Sequence, residues 1–265
     1  MNVLVTGHAG YIGGVLADQL ADAGHDVVGF DNAADPNDDI RDPDRLRTVF
    51  TDHDFDIAYH IAADADVWTD DWHYLVENNV MGTVNVVSAA REAGVPVVFA
   101  SSIAAGDQVN RYGHSKHLAE RAIGEYDGVT TVRFPNVIGG AAPRGQAQAM
   151  VEQALEGEIE VWGNGDIVRP YVDVGDLAAF LRDLGRGSFD IATPAAVSSY
   201  TATNEDVGER IQRIVADETG TEAALSVIDR TPPSPMELSA NDVCLRDPTP
   251  LDESLRSQIR AATER

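Results

Sequence analysis

Residues 112–116 read YGHSK, and of the 19 lysines and arginines in the chain only Lys116 is a lysine. On a helix, side chains four apart stand on one face, so Tyr112 and Lys116 can address the same reacting group. A phenol with its usual pKa of about 10 is a poor base at neutral pH, and an ammonium beside it stabilises the phenolate. The spacing alone is a weak signal; in the company of the motifs around it, Tyr112 is read as a general base or acid with Lys116 as its electrostatic partner. The compact charge of an ammonium is not reproduced by a planar guanidinium fork, which is a reason to keep one lysine among arginines. The bland reading is a surface helix with an incidental Tyr and Lys, and the surrounding motifs decide against it.

Gly7, Gly10 and Gly13 stand three apart in TGHAGYIG, residues 6–13, where a first apolar strand gives way to a helix. Glycines there allow a tight turn, close approach of backbone to a pyrophosphate, and close packing of helix on strand. The free N–H groups of the helix start then face phosphate charge. Asp31 ends the second strand. A carboxylate at that place accepts from adenosine ribose hydroxyls and repels a 2′-phosphate, so the cofactor read from these residues is NAD rather than NADP.

The elements that must hold these residues are short β-branched runs alternating with helix-period segments. Strands are expected at 2–6, 26–31, 56–63, 95–101 and 129–134, and helices at 11–23, 43–52, 73–93, 112–126 and 147–157. The alternation implies an α/β fold, a doubly wound parallel sheet with crossover helices on both faces. Further helices are expected at 175–185, 204–219 and 251–261, with proline-rich loops such as TPPSP at 231–235. The reading is a dinucleotide-binding domain over 1–160, with its last sheet segments supplied by about 170–195, and a mainly substrate-binding lobe over 161–265.

Composition narrows the partners. A formal charge of −25 over 265 residues, spread along the whole chain, repels nucleic acid and anionic membrane. An acidic, lysine-poor surface suits a cytoplasm with molar salt, where screening removes self-repulsion, and a halophilic source is expected. Cys244 is the single cysteine, which leaves no internal disulfide and no cysteine pair for zinc. The N-terminus MNVLVT enters a strand with no basic leader, and no apolar run reaches bilayer length, so a soluble cytoplasmic protein is expected.

Taken together, TGHAGYIG, DDIRD (38–42), HIAA (60–63), NNVMGTVNVVSAAREAGV (78–95), FASS (99–102), YGHSK, RFPNVIG (133–139), VWGNGDIVRPYVDVGDLA (161–178) and PTPLDESLR (248–256) resemble the NAD-dependent sugar epimerase/dehydratase family. These are extended short-chain dehydrogenases/reductases, among them sugar-nucleotide enzymes of the UDP-glucose 4-epimerase type. The resemblance implies that Tyr11, Ile12, Asn32, Asp39, Ile40, Ala62, Ala63 and Pro135 join the three glycines and Asp31 along the cofactor. It also implies that Lys116 donates to the nicotinamide ribose, and that Asn136 and Arg169 contact substrate, the arginine through a diphosphate. A serine or threonine completes the reacting group, with Ser102 selected by its distance from the strand end and Ser101 as the rival. A homodimer through helices like 73–93 and 112–126 is implied as well.

The chain departs from the family at Ala105, where a tyrosine is usual before Gly106, and in the ten positions from Ser102 to Tyr112, where relatives carry a longer insertion. The short link is expected to open the substrate site. Ile103 and Ala104 stand where dehydratases carry an Asp-Glu pair, which argues against loss of water. An epimerase that returns its hydride is the leading expectation. A dehydrogenase of an aldose or uronate is the alternative, and a non-catalytic dinucleotide sensor the reading of a different class. Other conspicuous residues receive structural readings: His60 as a packed histidine, His114 and His117 as exposed helix positions, Trp68, Trp72 and Tyr74 as ordinary packing, and Asp173 and Asp176 as helix caps.

Overall fold

The computed structural model describes residues 1–108, 110–163, 165–187, 191–228 and 243–264. In chain order the elements are β1 (Asn2–Thr6), α1 (Tyr11–Asp22), β2 (Asp26–Phe30), α2 (Pro43–Asp52), β3 (Ile57–His60), α3 (Trp72–Leu75), a π-helical turn (Val76–Met81), α4 (Gly82–Ala93), β4 (Val97–Ser102), α5 (Ala104–Asp107), α6 (Arg111–Ile123) and β5 (Val129–Phe134). There follow β6 (Asn136–Ile138), α7 (Gln146–Glu156), β7 (Glu158–Trp162), β8 (Val168–Asp173), α8 (Val174–Gly185), β9 (Ala195–Ser198), β10 (Tyr200–Thr203), α9 (Asn204–Thr219), β11 (Ala224–Ile228), β12 (Val243–Cys244) and α10 (Leu251–Thr263). The TPPSP segment and Asn164 of the GNG sequence lie outside the described residues.

Two compact units result, Met1–Phe134 with Ala178–Ala196, and Pro135–Leu177 with Val197–Arg265. Residues 135–160 thus group with the second unit, whereas the sequence places the boundary near 160. In the first unit the strands run in the order β9, β5, β4, β3, β1, β2, and every pairing is parallel. Progression along the sheet reverses between β1 and β3. The loops leaving the carboxyl ends of those two strands therefore diverge and leave a crevice, the usual ligand position in such sheets.

Alternating strand residues bury both faces, as a parallel sheet requires. Leu4, Ala58 and Phe99 pack into one cluster with Leu46, Val86 and Ile123 of α2, α4 and α6. Tyr59 points the other way, and its hydroxyl donates to the Leu181 carbonyl of α8 at 3.1 Å. Helix α2 starts where its sequence dictates: Asp42 accepts from the amides of Asp44 and Arg45, and Pro43 fills the first turn, where a missing N–H costs nothing. Strand β3 stops at His60 rather than at 63. The amides of Ile61 and Ala62 are drawn to the main-chain and side-chain oxygens of Thr6, which bends the chain out of the sheet and toward the glycine loop.

The second unit holds a three-stranded sheet, β10–β8–β6, and a parallel pair, β11 with β7. Its core gathers Ile138, Met150, Val151, Ile159, Tyr171, Ile211 and Leu255 among others, drawn from these strands and from α7, α9 and α10. Val197 and Ser198 at the end of β9 pair with β12.

Candidate active site

The first unit presents two loops at the crevice. Gly7 has φ +76°, and a Cβ there would stand 2.7 Å from the Ala62 amide nitrogen; one on Gly13 would stand 2.0 Å from the Gly7 carbonyl oxygen. Neither position accepts a larger residue, so the turn, the start of α1 and the backbone at Ala62 lie as close as covalent geometry allows. Gly10 caps α1 with no side chain, which leaves the helix start to an external anion. Asp31 stands at the end of β2, where its carboxylate accepts from the amides of Ala9 at 3.1 Å and Ala33 at 2.9 Å. It is thereby tied to the glycine loop itself.

Other expected cofactor positions are partly committed elsewhere. Asp39 is held by Arg41 through its main-chain amide and its guanidinium, and that pairing, with Asn32 contributing, lowers its pKa. Ile40 packs its side chain against Gly82 and its carbonyl accepts from Asn85. Tyr11 and Ile12 open α1, and Ala62 and Ala63 follow β3 in the loop beside Gly7. Pro135 begins the second unit.

Ser102 ends β4, and Tyr112 and Lys116 lie on α6, whose start is capped by Asn110 accepting from the Gly113 amide at 2.7 Å. The Ser102 hydroxyl lies near enough to the Tyr112 phenol to favour its ionised form, and the Ser102 oxygen accepts from the Ala104 amide. Ser101 instead donates to Glu120 at 2.6 Å. Of the two serines left open by the sequence, Ser102 is the one beside the phenol.

The phenol is pushed up to about 12, first by burial, with Ser102 opposing and the nearby Asp64 carboxylate adding to the rise. The expected lowering by Lys116 is absent from the chain itself. Lys116, only 2% exposed, donates to the Ala100 carbonyl at 2.8 Å and sits 5.0 Å from the centre of the Phe99 ring. Burial brings its pKa down to about 7, against the pull of Glu120. The ammonium is spent on a carbonyl and a ring face, and desolvation dominates both groups.

In the second unit, Asn136 donates from its side chain to the Pro170 carbonyl at 3.0 Å. Arg169 is 7% exposed, its Nε has no acceptor, and among the described residues no carboxylate pairs with it. Burial lowers its pKa. A guanidinium in that condition is costly unless an anion joins it.

A family model described as the NAD dependent epimerase/dehydratase family matches residues 3–184. The chain belongs to this family. It is 33% identical over 159 residues to a UDP-glucose 4-epimerase of Rhizobium leguminosarum bv. trifolii, a match spanning 49% of each chain, so the chain aligns with about half that relative's length. It is 31% identical over 228 residues to the Rhizobium meliloti UDP-glucose 4-epimerase, covering 67% of this chain and 70% of that one. A 2-alkyl-3-oxoalkanoate reductase of Stenotrophomonas maltophilia is 26% identical over 237 residues, 76% of this chain and 69% of its own. Among solved structures, the Thermus thermophilus UDP-glucose 4-epimerase complex with NAD superposes with a TM-score of 0.77 at 24% identity, over 98% of both chains. The chain is thus an NAD-dependent enzyme of the extended short-chain dehydrogenase/reductase type with a Rossmann-like sheet.

Several members of the site are not evident from motif spacing. Asn79, in the π-helical turn, accepts from the Asp64 amide and donates to the Asp64 carbonyl, both at 2.9 Å, and donates to Ser115 at 3.0 Å. Ser115 in turn donates to the Tyr112 carbonyl. Asn79 therefore ties the loop after β3 to the tyrosine helix, and the irregular turn is what aims it. The remaining structural readings find specific partners. Trp72 lies edge-on to His114, Tyr74 receives Arg41 over its face, and His117 Nδ1 lies 3.2 Å from the Ala105 carbonyl oxygen. Asp173 accepts from Gly175 at the start of α8. Asp176 is not a cap: it accepts from the amide and hydroxyl of Thr249.

Proposed function

We propose that the chain is an NAD-dependent sugar-nucleotide epimerase of the UDP-glucose 4-epimerase type. The glycine loop, the uncapped start of α1 and Asp31 fit a dinucleotide with free ribose hydroxyls. When bound, NAD supplies a hydride acceptor and a positive ring that stabilises a neighbouring phenolate. That charge opposes the burial that raises the Tyr112 pKa.

With the phenol brought down, Tyr112 takes the proton from a sugar hydroxyl. Ser102, whose oxygen is already fixed by the Ala104 amide, donates its hydroxyl hydrogen to the reacting oxygen. Lys116 supports the phenolate and the nicotinamide ribose. After the oxidised sugar turns its other face, Tyr112 returns the proton, and no net oxidation results. Arg169 carries the substrate side of the proposal: a buried guanidinium with no carboxylate among the described residues calls for an anion such as a diphosphate. Asn136 is proposed to read the sugar. Assembly as a homodimer through helices like 73–93 and 112–126 completes the reading, supported by Met81 at 49% exposure in the π-helical turn and Leu118 at 43% on α6.

The test is the nicotinamide content of gel-filtered protein, released by denaturation. About one NAD per chain supports a cofactor that stays bound through turnover, as an epimerase needs. A chain that elutes without nicotinamide supports the second reading, an aldose or uronate dehydrogenase with an exchanging cosubstrate. That reading is favoured by the short link from Ser102 to Tyr112, whose described residues include the single turn α5.

A further inference from the structure

Three consecutive residues of β4 meet three residues of α6 spaced a turn apart. The Ala100 carbonyl accepts from Lys116 at 2.8 Å, Ser101 donates to Glu120 at 2.6 Å, and Ser102 lies beside Tyr112. Glu120 is the member of this set that the proposed chemistry does not use. It is 9% exposed, and its carboxylate also accepts from Arg133 of β5, at 2.8 Å from Nε and 2.6 Å from Nη2. Arg133 is the register partner of Ser101 across the sheet. One carboxylate therefore fastens α6 to both strands at the same level, a turn beyond Lys116.

The charges around Lys116 can be followed element by element. His60 on β3 is buried and bridges two hydroxyls. Strand β4 carries no ionisable side chain. Arg133 on β5 is committed to Glu120. On α6, Tyr112 is a phenol, and Asp64 in the loop after β3 acts on Tyr112. Glu120 is left as the negative group that favours the ammonium. A buried carboxylate paired only for structure would serve as well anywhere along α6; this one stands on the lysine's own face.

We propose that Glu120 is a positioning residue: its bonds to Ser101 and Arg133 set the turn-by-turn register of α6 on β4, and its charge keeps the proton on Lys116. The inference rests on the Tyr112–Lys116 reading only for its effect on rate, because both effects can be measured without turnover. The single lysine makes the measurement unambiguous. With lysine labelled by ¹³C at Cε, the full chain gives one resonance, whose shift is followed from pH 5 to 10.5.

The wild-type midpoint is expected near 7. In Glu120→Gln it falls, because the charge that favours the ammonium is removed. Because that change leaves Arg133 without its partner, Glu120→Gln/Arg133→Met is measured beside it, and the same fall is expected. Arg133→Met alone, which keeps the carboxylate in place, leaves the midpoint unchanged or raises it. Equal midpoints in the wild type and the Glu120 variants would overturn the proposal. So would a wild-type midpoint near the free-lysine value of about 10.4, which places the amine in water. Failure of NAD or substrate binding, by contrast, bears on the proposed function and leaves the titration intact.

Discussion

Replacing His60 by glutamine should flatten the acid limb of the stability profile. His60 is 0% exposed; Nδ1 is 2.8 Å from the Thr6 hydroxyl and Nε2 is 3.0 Å from that of Thr83. Thr83 gives its only hydrogen to the Asn79 carbonyl, so it must accept from Nε2–H. Nδ1 is then the acceptor, and the ring is neutral in one tautomer. Protonating Nδ1 would place a second donor against Thr6 and a charge near Lys116. Burial first, and Lys116 second, push the His60 pKa down to about 3.

The folded value lies below the unfolded value of about 6.5, so the unfolded chain takes up the proton first. Stability is complete above that pH and is lost as pH falls toward 3. The slope approaches about 1.36 kcal/mol per pH unit below the unfolded value, which integrates to roughly 2.3 kcal/mol between pH 6.5 and 4.5. Urea unfolding of wild type and His60→Gln, followed by tryptophan fluorescence across that window, measures the difference, and the carboxylates common to both cancel. The wild type should lose about 2 to 3 kcal/mol more than the variant over the window. Parallel profiles would refute the assignment of a buried neutral imidazole.

Three other outcomes are expected. Asp31→Ala should weaken NAD and narrow its advantage over NADP, measured by cofactor titration; an unaltered preference would sink the ribose assignment. Leu118→Glu should convert a dimer to a monomer in light scattering if the exposed face of α6 is the interface, and an unchanged mass would exclude that face. With a formal charge of −25, the unfolding midpoint should rise between low and molar KCl, and a flat or falling midpoint would remove the case for a halophilic protein.

Local chemistry made several elements legible. β1, α2, β5 and α9 occupy the residues their patterns predict, because apolar period, caps and turn residues agree in those segments. The glycine loop, Asp31, Tyr112 and Lys116 were legible for the same reason: each motif is contiguous and sits at an element boundary. What the sequence could not show is long-range. The choice between Ser101 and Ser102 depends on which way each side chain leaves β4 and what α6 places opposite. Glu120 and Arg133 look like ordinary surface charges until β4 and β5 are paired. Asn79 gains its role from a π-helical turn that no periodicity announces. The phenol's rise to about 12 comes first from burial, which spacing alone does not reveal; the lowering inferred from the sequence counts the charge of a bound nicotinamide as well.

The most direct measurement of the central claim is incubation of the purified chain with UDP-galactose and no added cofactor, resolving UDP-glucose by chromatography while recording absorbance at 340 nm. The proposed function predicts UDP-glucose without a net rise in absorbance, and a loss of roughly 10²-fold or more in rate for Tyr112→Phe, the scale of a lost general acid-base group. Sugar oxidation with stoichiometric NADH once NAD is supplied, or a Tyr112→Phe variant as fast as wild type, would contradict it.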